Sequence, residues 1–333
     1  MWSQRRNSGF HLSTEPKQRM VSTMLRNGVL GVLMAALVAG CATKKIPPST
    51  DWPTYTLRAV QTTLLTPPTV KSFDASGLLF MPDGSLITIG NTHAATPYRI
   101  DFGPDFREAK LVALTNYFPS NAIAVITEGR SGRLDCEGLA MDPQGRLYLC
   151  GERERWILRS DSAGRVEKLP IDWKPVQKYF STVDPNASFE GIAIGNGHLY
   201  VANERNSPVI IDVDLNSLKV KRDFVVYPHK SSLLGLHYSD LCWFENKLWV
   251  LCRQHYVVLK VDPASLQVLA EYDYRELENR LSYRTGLPLG IMEGLALDSE
   301  YIWLVTDNNG DDRKGAPGDK RPTLLKCRRP DLP

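Results

Sequence analysis

Apolar residues in this chain come in short runs broken by tight polar turns. Leu139-Ala140-Met141, the turn Asp142-Pro143-Gln144-Gly145 and the run Leu147-Tyr148-Leu149-Cys150 predict two strands and a hairpin. Acids bracket this hairpin, with Glu137 ahead of the first strand and Glu152 after the second. The pattern recurs. Glu190-Gly191-Ile192-Ala193 leads to Leu199-Tyr200-Val201-Ala202-Asn203-Glu204, and Glu293-Gly294-Leu295-Ala296 leads to Ile302-Trp303-Leu304-Val305-Thr306-Asp307. Two weaker copies open at Ser76-Gly77-Leu78 and Ser239-Asp240-Leu241. Further strands follow each hairpin, as at Trp156–Ser160, Val209–Val213 and Val257–Val261.

The copies start at 76, 137, 190, 239 and 293, so they are spaced by 61, 53, 49 and 54 residues. A period of this size with about four strands is that of a propeller blade, lengthened here by inserted loops. The expectation is an all-β chain folded as a β-propeller, five- or six-bladed, with five repeats counted. Separate hairpins or a β-sandwich are the alternatives. The last copy ends one strand short after Thr323–Cys327, and Tyr55–Val60 is an unpaired strand that would close the ring there. Short helices are expected within Asp273–Tyr283 and Pro175–Val183.

Aligning the copies gives two polar columns. The first holds Ser76, Glu137, Glu190, Ser239 and Glu293; the second holds Asn91, Glu152, Glu204, Arg253 and Asp307. Antiparallel pairing puts the start of one strand beside the end of the next, so both columns fall at one mouth of a central channel. Converging carboxylates raise one another's pKa unless something compensates. A hard cation such as calcium would suit Glu137, Glu152, Glu190, Glu204, Glu293 and Asp307. Alternatively, Arg153, Arg205 and Arg253 would pair with the acids, or the acids would simply fix strand ends. As substrate-binding groups the mouth offers Arg153, Arg205, Arg253, His93 and His255. His237, Ser239 and Asp240 resemble a nucleophile set, but neighbours on one strand do not face one another as a triad requires. The acid-rich loop from Asp307 to Asp319 is expected to act as a lid beside the channel.

Residues 24–41 run from a basic start through a short apolar stretch to small residues, the layout of a secretory signal. Val38-Ala39-Gly40-Cys41 resembles a bacterial lipobox. That resemblance implies lipidation at Cys41 and, with Ala42 following, a lipid-anchored protein of the cell envelope at the outer membrane, facing the periplasm. The chain then divides into a leader (1–40), a tether (41–53) and one propeller domain (54–330). A plain secretory signal is the alternative.

Charge and cysteines narrow the picture. The chain carries 40 basic and 37 acidic residues, and removing 1–40 leaves 35 against 36. That balance gives no electrostatic case for nucleic acid. Besides Cys41, the cysteines Cys136, Cys150, Cys242, Cys252 and Cys327 are odd in number, lack zinc-ligand spacing and read as small core residues. In a regular hairpin Cys150 falls opposite Glu137, which turns the thiols of Cys136 and Cys150 to opposite faces.

The Glu-Gly-Leu-Ala and Asp-Pro-Gln-Gly-Arg-Leu-Tyr segments, with Met292–Ala296 and Trp303–Asn309, resemble the phytase-like (esterase-like activity of phytase) propeller family over about 70–328. Propellers of the SdiA-regulated and gluconolactonase types are also similar. The latter resemblance implies a divalent metal held by channel acids, here Glu137, Glu190 and Glu293. Relatives commonly have six blades where five copies are counted here, Ser76 and Ser239 stand where the others have an acid, and the many calcium-binding acids of propeller phytases do not map onto this chain. The expected function is a membrane-anchored, metal-dependent hydrolase of ester, lactone or phosphoester substrates, with an anionic small molecule as one substrate class. The alternative is a non-catalytic lipoprotein that binds a ligand or an envelope protein.

Overall fold

A computed structural model describes residues 51–67, 73–90, 95–128, 134–230, 235–281, 290–313 and 315–332. The expectations at Cys41, Asn91 and His93 lie outside these residues.

Two short strands come first, β1 (Thr54–Thr56) and β2 (Ala59–Thr66). The first blade is β3 (Ala75–Phe80), β4 (Leu86–Gly90), β5 (Tyr98–Phe102) and β6 (Glu108–Ala113), followed by helix α1 (Ser120–Ile126). The second is β7 (Cys136–Met141), β8 (Leu147–Gly151), β9 (Trp156–Ser160) and β10 (Val166–Lys168). The third is β11 (Phe189–Gly195), β12 (His198–Asn203), β13 (Val209–Asp214) and β14 (Lys219–Phe224). The fourth is β15 (Tyr238–Phe244), β16 (Lys247–Cys252), β17 (Val257–Asp262) and β18 (Gln267–Asp273), followed by helix α2 (Arg275–Leu281). The fifth holds β19 (Met292–Leu297), β20 (Tyr301–Thr306) and β21 (Thr323–Arg328).

The innermost strands β3, β7, β11, β15 and β19 touch in a closed cycle, which makes five blades. Five apolar clusters form the core, one between each pair of neighbouring blades. This explains why the inner strands read as continuous apolar runs: both their faces are covered. Between the second and third blades, Tyr148, Cys150 and Ile157 pack on Ile192, Ile194, Leu199 and Val201.

Ring closure differs in detail from the expectation. The stretch Tyr55–Val60 is split. Strand β1 adds in parallel to β18 of the fourth blade, while β2 pairs antiparallel with β21 and supplies the missing strand of the fifth. Strand β2 also pairs in parallel with β6, so the first and fifth blades share one eight-stranded sheet. Both outer edges are thereby covered, which removes exposed pairing sites. Of the two expected helices, α2 forms; the other is a 3-10 turn over Lys174–Tyr179. Helix α1 was not foreseen, because Ser120–Ile126 has no polar face to reveal it.

At the far end of the propeller, aspartates close the hairpins. Asp142 Oδ1 accepts the N–H groups of Gln144 and Arg146, and its other oxygen accepts Tyr148 Oη at 2.9 Å. Gly145 has φ of +75°, which only glycine adopts without strain.

Candidate functional site

Each blade carries a β-bulge at the same place. The pairing of its first two strands slips at Ser76–Gly77, Glu137, Glu190–Gly191, Ser239 and Glu293. These are the residues of the first polar column. A bulge re-aims the side chain it carries, so five bulges turn the whole column toward the axis. The regular register assumed from sequence was therefore off by one. Cys150 lies opposite Gly138 and Cys136 opposite Gly151. Both thiols remain free and buried, as do those of Cys252 and Cys327.

The second column begins where the second strand of each blade ends. Its backbone is tied to the residue two places before the first column: the N–H of Glu152 donates to Asp135 O, that of Glu204 to Ser188 O and that of Asp307 to Ile291 O, at 2.7–2.8 Å. These bonds bring Asp135 and Ser188 to the mouth, and the equivalent positions of the first and fourth blades hold Asp74, beside Asp307, and His237. Of these, the sequence reading placed His237 at the mouth but not Asp74, Asp135 or Ser188.

The columns enclose a cavity of about 390 Å³ lined by Glu137, Glu152, Glu190, Glu293 and Asp307 together with Arg205, Arg253, His237, Asn186 and Asn309. Glu204 lies behind this lining and is completely buried. The six expected carboxylates thus converge. One oxygen from each of Glu152, Glu190 and Glu204 falls within 4.8 Å of the others, and the same holds for Asp135, Glu137 and Glu152.

Within the two columns, among the described residues, cations pair directly only with Glu204 and Glu293. Arg253 bridges Glu204 and Glu293, and Arg205 pairs with Glu204. His237 Nδ1 stands 3.4 Å from Glu204 Oε1. Elsewhere in the ring Ser76 Oγ donates to Glu137 at 2.5 Å, while among the described residues no hydrogen bond reaches the carboxylates of Glu152 or Glu190. Burial is the largest cause of the resulting shifts, and neighbouring acids add to it. The Glu137 carboxyl rises to about 8 and that of Glu152 to about 9, and Glu190 is held well above the usual range. Asp307 rises to about 7 through burial and its hydrogen-bonded neighbour Asp74.

The expected substrate-binding residues divide differently. Arg205 and Arg253 line the cavity, but each already holds an acid. Arg153 does not line it; its half-exposed side chain pairs with Asp135 at 3.1 Å. His255 is buried and also outside the lining, its imidazole pushed down to about 4 by burial, with His237 and Arg275 adding. Ser239 donates to Met292 O, so it forms no nucleophile set with His237. The loop after Asp307 is braced: Asn308 Nδ2 donates to Asp311 O and Lys320 O, and Asp319 is held by Arg313 and Arg321. Asp312 and Asp319 are thereby committed to the loop itself, and Asn309 joins Asp307 in the cavity lining.

The donors suit a hard divalent cation. All are oxygens, several lack protein partners, and Glu293 Oε2 and Ser188 Oγ are buried without a hydrogen bond among the described residues.

Comparison with known proteins agrees with this architecture. The phytase-like family model, described as esterase-like activity of phytase, matches residues 75–310. The glutaminyl cyclase of Myxococcus xanthus is similar in structure, with a TM-score of 0.54 at 15% identity over 84% of this chain and 98% of that one. A gluconolactonase from Xanthomonas campestris covers 77% of this chain and 86% of its own at 11% identity, with a TM-score of 0.42. No curated protein matches the chain.

Proposed function

The chain belongs to the phytase-like family, and from that premise we propose a metal-dependent hydrolase of ester, lactone or phosphoester bonds acting at the channel mouth. The observation that carries the reading is the convergence of Glu137, Glu152, Glu190 and Glu204 on one buried volume in which, among these four, only Glu204 has a direct ion pair with another described residue. Glu152 and Glu190, flanked by Glu137 and Asp135, would hold a divalent cation such as calcium. Such an ion, when bound, polarises a carbonyl or phosphoryl oxygen.

The chain's own groups do the rest. Arg253 keeps Glu204 and Glu293 apart and fixed. Asp307 shares a hydrogen bond with Asp74 and its carboxyl is raised to about 7, so Asp307 can give or take a proton at the cavity wall. His237, whose Nδ1 stands 3.4 Å from Glu204 Oε1 in the same wall, would serve as a second proton carrier. Because Arg205 and Arg253 are occupied by acids, an anionic substrate would be drawn by the cation rather than by free guanidinium groups.

The proposal extends to location. Among the described residues no helix is long and apolar enough to cross a membrane. The Val38–Cys41 segment supports lipidation at Cys41 and an envelope protein facing the periplasm; mass spectrometry of the membrane fraction tests it.

Metal analysis of the purified protein, with ester, lactone and phosphoester panels in calcium or EDTA, tests the catalytic reading. Glu190→Gln should remove both metal and turnover. The internal Arg253 bridge favours one rival, a non-catalytic propeller that binds a ligand or envelope partner. A folded protein with neither metal nor turnover would leave that rival standing.

A further inference from the structure

One residue breaks the repeat where the inner strands come closest. The residue after the first column is Gly77, Gly138, Gly191 and Gly294 in four blades, and Asp240 in the fourth blade. The glycines are required by contact. A Cβ on Gly191 would lie 2.3 Å from Asp240 Cα, and one on Gly138 would lie 2.6 Å from Glu190 O. These positions form the narrowest ring of the propeller, one residue further into the channel than the acids.

Asp240 therefore has the only side chain in that ring beyond a hydrogen. It is 1% exposed. Its Oδ2 accepts the N–H of Leu295 from β19 at 2.7 Å and that of Leu78 from β3 at 3.4 Å, and Oδ1 accepts Leu241 N–H at 2.8 Å. Among the described residues every hydrogen bond to it comes from a backbone donor, and no cation faces it. Leu78 and Leu295 lie just past the bulges that carry Ser76 and Glu293. Strands β3 and β19 are the inner edges of their blades, so N–H groups that turn to the axis have no strand partner and need another acceptor.

We infer that the channel axis is an internal carboxylate-binding site, filled by the chain's own Asp240. This carboxyl group joins the first, fourth and fifth blades through Leu78, Asp240 and Leu295, one residue below the ring of acids. The inference stands without any metal or activity at the mouth. Asp240 is a positioning residue: it fixes the strands that present Ser76 and Glu293.

Chemical rescue provides the test. Asp240→Gly completes a ring of five glycines and leaves a space the size of a small carboxylate. Its melting temperature should fall by roughly 5 °C or more, since buried donors lose their acceptor. Acetate or formate should restore much of that loss, whereas chloride at equal ionic strength should not, and neither salt should shift the wild type comparably. Hydrogen exchange at the Leu78 and Leu295 amides should speed up about tenfold or more in the variant and slow again in acetate. Wild-type melting and protection in Asp240→Gly would overturn the inference, as would acetate raising both proteins alike. Should Asp240→Gly fail to fold, Asp240→Asn decides. It keeps the shape but turns an NH2 toward a donor, so it should melt several degrees low; melting with the wild type would refute the site.

Discussion

Replacing Glu152 with glutamine should make the metal-free protein more stable. Glu152 is 4% exposed, lacks a hydrogen-bonded cation, and faces Glu137 and Asp135. Its carboxyl is raised from 4.5 to about 9 by burial and those neighbours, with Arg205 and Arg153 opposing only weakly. The native state then keeps a proton that the unfolded chain gives up. Stability from this group is greatest below about pH 4.5 and falls as pH climbs to about 9. At about 1.4 kcal/mol per pH unit the full gap sets a ceiling of about 6 kcal/mol. Glu137 and Glu190 share the same repulsion, so the part belonging to Glu152 is roughly half, about 2–3 kcal/mol. Urea or thermal melts in EDTA at several pH values read it directly. The wild type should lose stability from about pH 5 to pH 9, whereas Glu152→Gln should lose less and melt roughly 4–8 °C higher at the alkaline end. Calcium should reverse the order by binding the wild type more tightly. A wild type indifferent to pH in EDTA, or a glutamine variant that is weaker at high pH, would refute the reasoning.

The same carboxyls should release about one proton or more when calcium binds near pH 7, measurable by calorimetry in buffers of different ionisation heat; no buffer dependence would count against Glu137 and Glu152 as ligands. Arg253→Met strips Glu204 and Glu293 of their bridge and should cost about 3–5 kcal/mol in denaturant melts, with Arg253→Lys recovering only part because one ammonium lacks the guanidinium fork. The exposed pair Arg280–Glu276 is the control, and Arg280→Ala should cost less than about 1 kcal/mol. Gly191→Ala sets a methyl against Asp240 backbone and should lower stability by about 2 kcal/mol or more in the same assay.

The five repeats and the acidic mouth were legible because both rest on repetition, whereas five blades rather than six had to come from the structure. Five hairpins in one frame give the ring, and Glu137, Glu190 and Glu293 recur at one position with Glu152, Glu204 and Asp307 at another. What escaped was local irregularity. A bulge leaves no mark in a five-residue apolar run, so the register at Cys136 and Cys150 came out one residue wrong. Asp74 and Asp135 were hidden because they precede the apolar stretches and read as loop. The partners of Arg153, Arg205 and Arg253 could not be read either: an arginine beside a ring of acids serves a substrate or the ring, and only side-chain geometry separates the two.

That geometry bears on why the site sits on this fold. Five inner strands close a tighter circle than a larger propeller allows, and backbones meet at glycine distance along the axis. Charges presented by the bulges therefore cannot spread apart. The chain neutralises Glu204 and Glu293 with Arg205 and Arg253, while burial without an ion-paired cation among the described residues holds the carboxyls of Glu137, Glu152 and Glu190 well above the usual range. If stability alone shaped the mouth, serine would serve in every blade, as Ser76 and Ser239 do in two. Glu137 and Glu190 of the first column work against the folded state at neutral pH, and a persistent local cost of this kind is what a functional site displays.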